Sequence, residues 1–210
     1  MIRLFTALEI PAPQADRIAM LQSGLRGTRW ISRDFLHITL RYMGEVDERM
    51  AWDIDRALSD IHVDPIDITL EGIGQFGNKR PHSVWLGVNE TPELLNLQAR
   101  QEYAMQQIGL PPEGRKYTPH VTLGRLKRGA TEPSEVMRYI EANNLFFAPS
   151  FKAARFVLMS SKLSQGGGPY ITEREYSLTS DRQSDEVAEE EPALDILEAE
   201  MARETEMANE

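Results

Sequence analysis

One short pattern occurs twice in this 210-residue chain, once in each half. The first copy is Leu36-His37-Ile38-Thr39-Leu40-Arg41 and the second is Pro119-His120-Val121-Thr122-Leu123-Gly124-Arg125. Both have the form His-x-Thr-Leu with a β-branched apolar residue at x. On a strand, residues two apart point to the same face. His37 and Thr39 therefore project together, as do His120 and Thr122, while Ile38, Leu40 and Val121 pack the other way. A single His-x-Thr is an ordinary exposed strand face. Two copies at matching positions are a much stronger signal: if the two halves face each other across a pseudo-twofold axis, four polar side chains converge in one cleft.

The rest of the chain repeats around them. Strands are expected at 2–10, 36–42 and 66–73, with intervening helices marked by Ala15, Ile18, Ala19, Gln22 and Leu25, and by Met50, Ile54, Ala57, Leu58 and Ile61. Asp47 is a candidate N-cap for the second helix. After a turn at 74–81, the same order returns. A strand at 83–88 precedes a helix opened by Thr91-Pro92 and closed by Gly109. A strand at 121–126, a helix at 133–143 and strands at 151–160 and 170–178 come next, the last two separated by a glycine-rich loop at 164–169. Equivalent strands begin roughly 80–86 residues apart, too long a period for a solenoid. The pattern reads as a duplicated α+β unit with two lobes, repeats at about 1–80 and 81–180, forming one domain over 1–180.

Charge separates that domain from the C-terminal tail. The formal net charge is −10, and residues 181–210 hold twelve acidic and two basic side chains. Residues 1–180 therefore carry 21 basic and 21 acidic groups and are neutral. The tail reads as a solvated, largely disordered extension, with one short amphipathic helix at 192–208 marked by Leu194, Leu197 and Met201. Zero cysteine excludes disulfides, thiolate catalysis and Cys-ligated metal. No apolar run approaches the ~20 residues of a membrane span, and the N-terminal segment lacks signal-peptide features. A cytoplasmic monomer with no membrane association is the expectation.

Two imidazoles and two hydroxyls suit acid–base chemistry at phosphorus. With an unperturbed pKa of ~6.5, one histidine can be neutral and the other protonated near pH 7, supplying base and acid without a metal. Threonine hydroxyls can donate to phosphate oxygens, and an arginine can clamp them. Arg41 shares the face of His37 and Thr39 by strand alternation. Arg125 has the wrong parity relative to His120 unless a bulge at Gly124 re-aims it. The ordinary alternative for either is a surface cation. His62 and His82 have no matched partners and read as surface or structural residues.

On these residues the sequence resembles the 2H phosphoesterase superfamily, and within it the RNA 2′,3′-cyclic phosphodiesterases, also called 2′-5′ RNA ligases. The supporting segments lie at 3–11, 36–46, 68–88, 117–126 and 156–170, so the resemblance covers about residues 1–178. Tyr42-Met43 stands where Phe-Leu is more usual. The resemblance implies two lobes, each with an antiparallel sheet and outer helices around a central groove. It implies opening of a 2′,3′-cyclic phosphate at an RNA end to a 2′-phosphate, together with reversible 2′-5′ joining of RNA ends. It also implies His37 as proton donor and His120 as proton acceptor. Thr39, Thr122 and Arg125, together with Arg41, are the expected substrate contacts, and no cofactor or metal is expected. Phe5, Phe35, Tyr42, Phe76, Trp85 and Tyr170 are available for base stacking, though aromatics at strand positions are mostly core.

Two other readings compete. A non-catalytic RNA-end or nucleotide-binding module could use the same cleft, but both motifs are intact. A two-histidine metallohydrolase needs further acidic or histidine ligands at suitable spacing, which the sequence lacks. The neutral body argues against a long non-specific nucleic-acid track, which needs a dense basic patch. Because the tail lies outside the repeat, truncation after Ser180 is expected to leave turnover of a short cyclic-phosphate substrate nearly unchanged. A folded truncated protein with most of its activity gone would refute this.

Overall fold

The computed structural model describes residues 1–161 and 169–180. Most of the glycine-rich loop and the whole of 181–210, including the helix expected at 192–208, lie outside the described residues. The elements run β1 (Ile2–Glu9), α1 (Ala12–Ala19), β2 (Thr28–Trp30), a 3-10 turn (Arg33–Phe35), β3 (His37–Val46), α2 (Glu48–Ser59), β4 (Ile66–Phe76), β5 (Ser83–Val88), α3 (Pro92–Gln107), β6 (His120–Leu126), α4 (Pro133–Asn143), β7 (Phe147–Ala153), β8 (Arg155–Ser161) and β9 (Tyr170–Ser177).

Local chemistry explains the helix limits. Asp47 accepts a 2.8 Å hydrogen bond from the Met50 N–H, satisfying an otherwise unpaired donor at the start of α2. Thr91 does the same for Leu94 at 3.3 Å in α3, with Pro92 at the first helical position. Gly109 then adopts a φ of 91°, the left-handed conformation that lets the chain leave α3. The buried faces are Ile54 and Leu58 of α2 and Leu94, Leu97, Gln101 and Met105 of α3.

The strands form one antiparallel sheet in the order β7-β4-β5-β6-β3-β1-β8-β9, with β2 added to β6. The four helices contact this sheet: α2 against β1 and β9, α3 against β3, α4 against β4 and α1 against β7. The main core contains Ile38, Ile54, Leu94, Val121 and Val136, so strand residues of that parity face the helices. A smaller cluster of Phe5, Ala7, Val157 and Met159, with Tyr170 packed on it, occupies the other face. The α+β class therefore stands. Residues Met1–Leu178 form one compact unit.

The sheet does not divide at residue 80. β4, from the first half, pairs with β5 and β7, whereas β8 and β9 extend the β1 side. The chain crosses between the two parts at Ala154, so the strand expected at 151–160 is two strands, β7 and β8. Continuous apolar character across this point conceals the crossing. Other boundaries shift as well. α1 stops at Ala19, β3 runs through Gly44 to Val46, and β4 runs to Phe76, so the turn begins at Gly77.

Each motif strand is interrupted by a bulge at the same place. The register of β1 with β3 passes from Ala7↔Thr39 to Thr6↔Arg41, leaving Leu40 extra. That of β5 with β6 passes from Trp85↔Thr122 to Val84↔Gly124, leaving Leu123 extra. A bulge leaves backbone groups outside the ladder. In β3 the fully buried Thr6 accommodates them: its Oγ1 accepts from the Arg41 N–H at 3.1 Å and donates to Gln101 Oε1 at 2.5 Å. Thr6→Val would orphan two buried groups at a cost of about 1–3 kcal/mol. Urea denaturation is expected to show that loss, with Thr6→Ser retaining most of the stability. A Thr6→Val protein of wild-type stability would show that the bulge does not depend on Thr6.

Candidate active site

The two motifs meet at the centre of the sheet. β3 and β6 are joined antiparallel at the pair Ile38↔Val121, both fully buried on the helix side. Antiparallel counting from this pair puts His37 across from Thr122, and Thr39 across from His120, on the opposite face. Neighbouring Cβ atoms across such strands lie about 5 Å apart and diagonal ones roughly 7–8 Å apart. The two imidazoles are the diagonal pair.

Both rings are held by the same device. His37 Nδ1 lies 2.8 Å from the Phe35 carbonyl oxygen, and His120 Nδ1 lies 2.7 Å from the Thr118 carbonyl oxygen. A carbonyl can only accept, so Nδ1–H donates in each case. Nε2 is then the nitrogen that exchanges protons with a ligand. Aromatic rings wall both sides. Phe5 and Tyr170 each lie 5.1 Å from His37 between ring centroids, Tyr170 edge-on. Phe76 meets His120 edge-on at 4.8 Å, and Trp85 lies at 6.0 Å. The Trp85 indole rests on Gly74, where a Cβ would come within 2.2 Å of the ring. All six aromatics named from the sequence border the site: Phe35 packs on Tyr170, and Tyr42 lines the adjoining cavity.

That cavity, of about 410 Å³, opens beside His120 and Thr39. Tyr42, Phe76, His82, Arg115, Lys116 and Tyr117 also line it. The Tyr117 hydroxyl and the Trp85 indole N–H are buried without a hydrogen-bond partner among the described residues. His82, which reads as a surface or structural residue in sequence, is exposed, borders this cavity and stacks on Phe76 at 6.4 Å. Its solitary position in a turn carried no signal of that.

The bulges exchange the two arginine expectations. Alternation puts Arg41 beside His37 and Thr39, but the extra residue in β3 turns it to the buried side. There it is 5% exposed. Nη1 donates to the Tyr42 carbonyl and Nη2 to the Pro111 carbonyl, each at 2.5 Å. Nε and Glu102 Oε2 are 2.5 Å apart, an ion pair of proximity rather than an aligned hydrogen bond. Glu102 also accepts from the Glu113 N–H at 3.0 Å and from Gln106 at 2.7 Å. Arg41 therefore borders the cavity as a brace for the loop after α3, with its guanidinium committed to protein groups. In β6, the equivalent bulge brings the exposed Arg125 onto the cleft face, close enough for its charge to act on His37. The vacated position is Gly124, where a Cβ would lie 2.5 Å from Thr28 Cγ2 and 2.8 Å from the Trp30 ring. Only glycine lets β2 cross there.

Burial pushes His37 down to about 4. The hydrogen bond to Phe35 opposes the shift, and the charges of His120 and Arg125 add to it. Burial likewise lowers His120, against its bond to Thr118. Both rings are thus mainly neutral near pH 7 in the free protein. Among the described residues, no group of three His, Cys, Asp or Glu side chains is placed to hold a metal ion, and no helix is long and apolar enough to cross a membrane.

A cleft lined by two Nε2 atoms, two threonines and an arginine is chemically suited to acid–base work on phosphate esters. Comparison with known proteins agrees. The sequence profile of the 2′-5′ RNA ligase superfamily matches residues 10–165. The chain is 31% identical over 141 residues to the RNA 2′,3′-cyclic phosphodiesterase of Archaeoglobus fulgidus, spanning 65% of this chain and 80% of that protein. It is 29% identical over 178 residues to the protein of the same name from Methanocaldococcus jannaschii, spanning 83% and 100%. The crystal structure of E. coli LigT complexed with 3′-AMP superposes with a TM-score of 0.70 and 26% identity, over 85% of this chain and 99% of that one. The chain belongs to the 2′-5′ RNA ligase superfamily.

The lowered histidines set a pH expectation. An imidazolium donor is lost from the free protein as pH rises through its depressed value, and a neutral acceptor is lost as pH falls through its own. With two such groups, kcat/KM is expected to follow a bell whose maximum lies between about 4 and the ordinary histidine value of about 6.5. The two limbs belong to the coupled pair rather than to single residues. The bound phosphodiester anion favours imidazolium, so the kcat profile moves to higher pH. A kcat/KM maximum above pH 7 would contradict the burial effect.

Proposed function

We propose that this protein hydrolyses RNA 2′,3′-cyclic phosphate ends to 2′-phosphates by two-histidine acid–base catalysis. The observation that carries this reading is the Ile38↔Val121 pairing, which sets both His-x-Thr faces into one cleft. The family relationship and the names of its relatives support the substrate class. In the forward direction, His120 Nε2 takes a proton from water as the water oxygen bonds to phosphorus. His37 Nε2–H donates to the departing 3′-oxygen as the P–O3′ bond breaks, leaving the phosphate on the 2′-oxygen. Thr39 and Thr122 donate to the non-bridging oxygens, and Arg125 offsets their charge. With the 5′-hydroxyl of a second RNA end in place of water, the same displacement would form a 2′-5′ link, His120 taking that hydroxyl's proton and His37 protonating the departing 3′-oxygen.

The donor role of His37 rests on its match to the family's first motif. In the free protein it is the harder ring to protonate at neutral pH, which a bound anion offsets. Only the arrangement with the proton on the ring facing the leaving oxygen reacts.

His37→Ala and His120→Ala are each expected to lower kcat by roughly 10²–10⁴-fold on a cyclic-phosphate oligonucleotide. Thr39→Ala and Thr122→Ala, which each remove one hydrogen bond to phosphate, are expected to cost less. The double histidine variant should be scarcely worse than either single one, because groups acting in one displacement are non-additive. The product should carry a 2′-phosphate by phosphorus NMR. Near-normal turnover by a folded His37→Ala protein, or a product with only 3′-phosphate, would overturn the assignment. A wild-type protein that binds the substrate without turnover would be a binding module.

A further inference from the structure

The neutral sum of residues 1–180 conceals a separation of charge. Three segments, 26–30, 77–83 and 125–129, run side by side at the far end of β6. Arg29 pairs in register with Arg125 on one side, and Ser83 pairs with it on the other. The Leu126 N–H donates to the His82 carbonyl, and the Lys127 N–H to the Gly27 carbonyl, each at 2.9 Å. Besides Arg125, these segments carry Arg26, Arg29, Lys79, Arg80, Lys127 and Arg128, and they contain no Asp or Glu. All seven cations are exposed. Among the described residues none of them joins an ion pair, since the salt bridges fall elsewhere. The compensating acids lie apart in sequence and in the fold: residues 45–67 hold eight acidic and two basic side chains and run through the end of β3, α2 and the start of β4.

Like charges directly opposite one another on adjacent strands, as at Arg29 and Arg125, oppose folding. A polyanion laid across them removes that repulsion. The patch is continuous with the cleft, because Arg125 belongs to both. A strand whose 3′ end sits between His37 and His120 must leave the cleft in its 5′ direction with a phosphate at every step. Arginine is suited to such phosphates, and the exposed His82 ring, stacked on Phe76, offers a face to a base along the way.

We propose that this face binds the backbone of the RNA strand upstream of the reacting end, so that the protein works on oligonucleotide or longer single-stranded termini rather than on mononucleotides. The proposal rests on the reading of the cleft as an RNA-end site. Its test is steady-state hydrolysis by the full-length protein of a nucleoside 2′,3′-cyclic phosphate and of a short oligonucleotide ending in the same nucleotide, each across a salt series. The patch variant is Lys79→Gln/Arg80→Gln/Arg128→Gln, and a control of equal charge is Arg17→Gln/Arg49→Gln/Arg56→Gln.

The oligonucleotide is expected to show a KM about tenfold or more below that of the mononucleotide at low salt. Each phosphate neutralised on a single strand adds about 0.7 to the salt slope of log KM, so the three substitutions should lower the oligonucleotide's slope by about 2. The variant's mononucleotide kinetics should stay at wild-type values, which also reports correct folding, and the control should change neither substrate. Equal KM values for the two substrates, or one salt slope shared by wild type and patch variant, would overturn the proposal. Wild-type turnover of neither substrate would instead sink the reading of the cleft, and the proposal with it.

Discussion

The pairing of Ile38 with Val121 is the contact on which the site depends. β6 is bordered by β3 at Val121 and by β2 from Gly124 onward, so the two motif strands meet over a short stretch and then part. That brief contact puts the His-x-Thr residues on one face, while Ile38 and Val121 are sealed among Leu, Ile and Val side chains on the other. A slip of one residue would turn every motif side chain to the wrong face. The apolar alternation of both strands opposes that slip, because it would expose Ile38, Leu40, Val121 and Leu123 together.

Around this contact the two halves use matching devices to different ends. Each histidine is oriented by the carbonyl two residues before it, and each lies among aromatic rings that lower its affinity for a proton. Each strand bulges one residue after its threonine. In β3 the displaced position holds Arg41, which reaches Glu102 and the Pro111 carbonyl and so ties β3 to the loop leading toward His120. In β6 the same position is Gly124, the room is taken by β2, and the next residue, Arg125, turns into the cleft. The resulting asymmetry leaves an open cavity beside His120 and Thr39, whereas Tyr170 and Phe5 close over His37. Two similar halves therefore present one directional site.

Electrostatics obey the same division. Burial disfavours the charged form of both imidazoles, and under the proposed mechanism a bound anion would supply part of the field that charges the proton donor. The cationic face reaching from Arg125 across β2 and the β4–β5 loop extends positive charge away from the cleft. Its exposed side chains are screened by salt over about 8–10 Å at physiological ionic strength. They act on groups that come close to them rather than from afar.

The motifs, the α+β class, the Asp47 and Thr91 caps and the existence of most elements were legible in the sequence, because each rests on local periodicity or on a side chain reaching its own backbone. His37, Thr39, His120 and Thr122 emerged from the repeat alone. What the sequence could not decide depended on which strand lies beside which. Strand alternation placed Arg41 in the cleft and left Arg125 in doubt. Only the bulges, visible in the pairing with β1 and β5, reversed this. The neutral charge sum argued against a basic track, yet three segments distant in sequence lie side by side and concentrate their cations, while the acids gather elsewhere. Charge counts are additive along a chain, but electrostatic potential depends on distance in space, and distance is set by tertiary pairing.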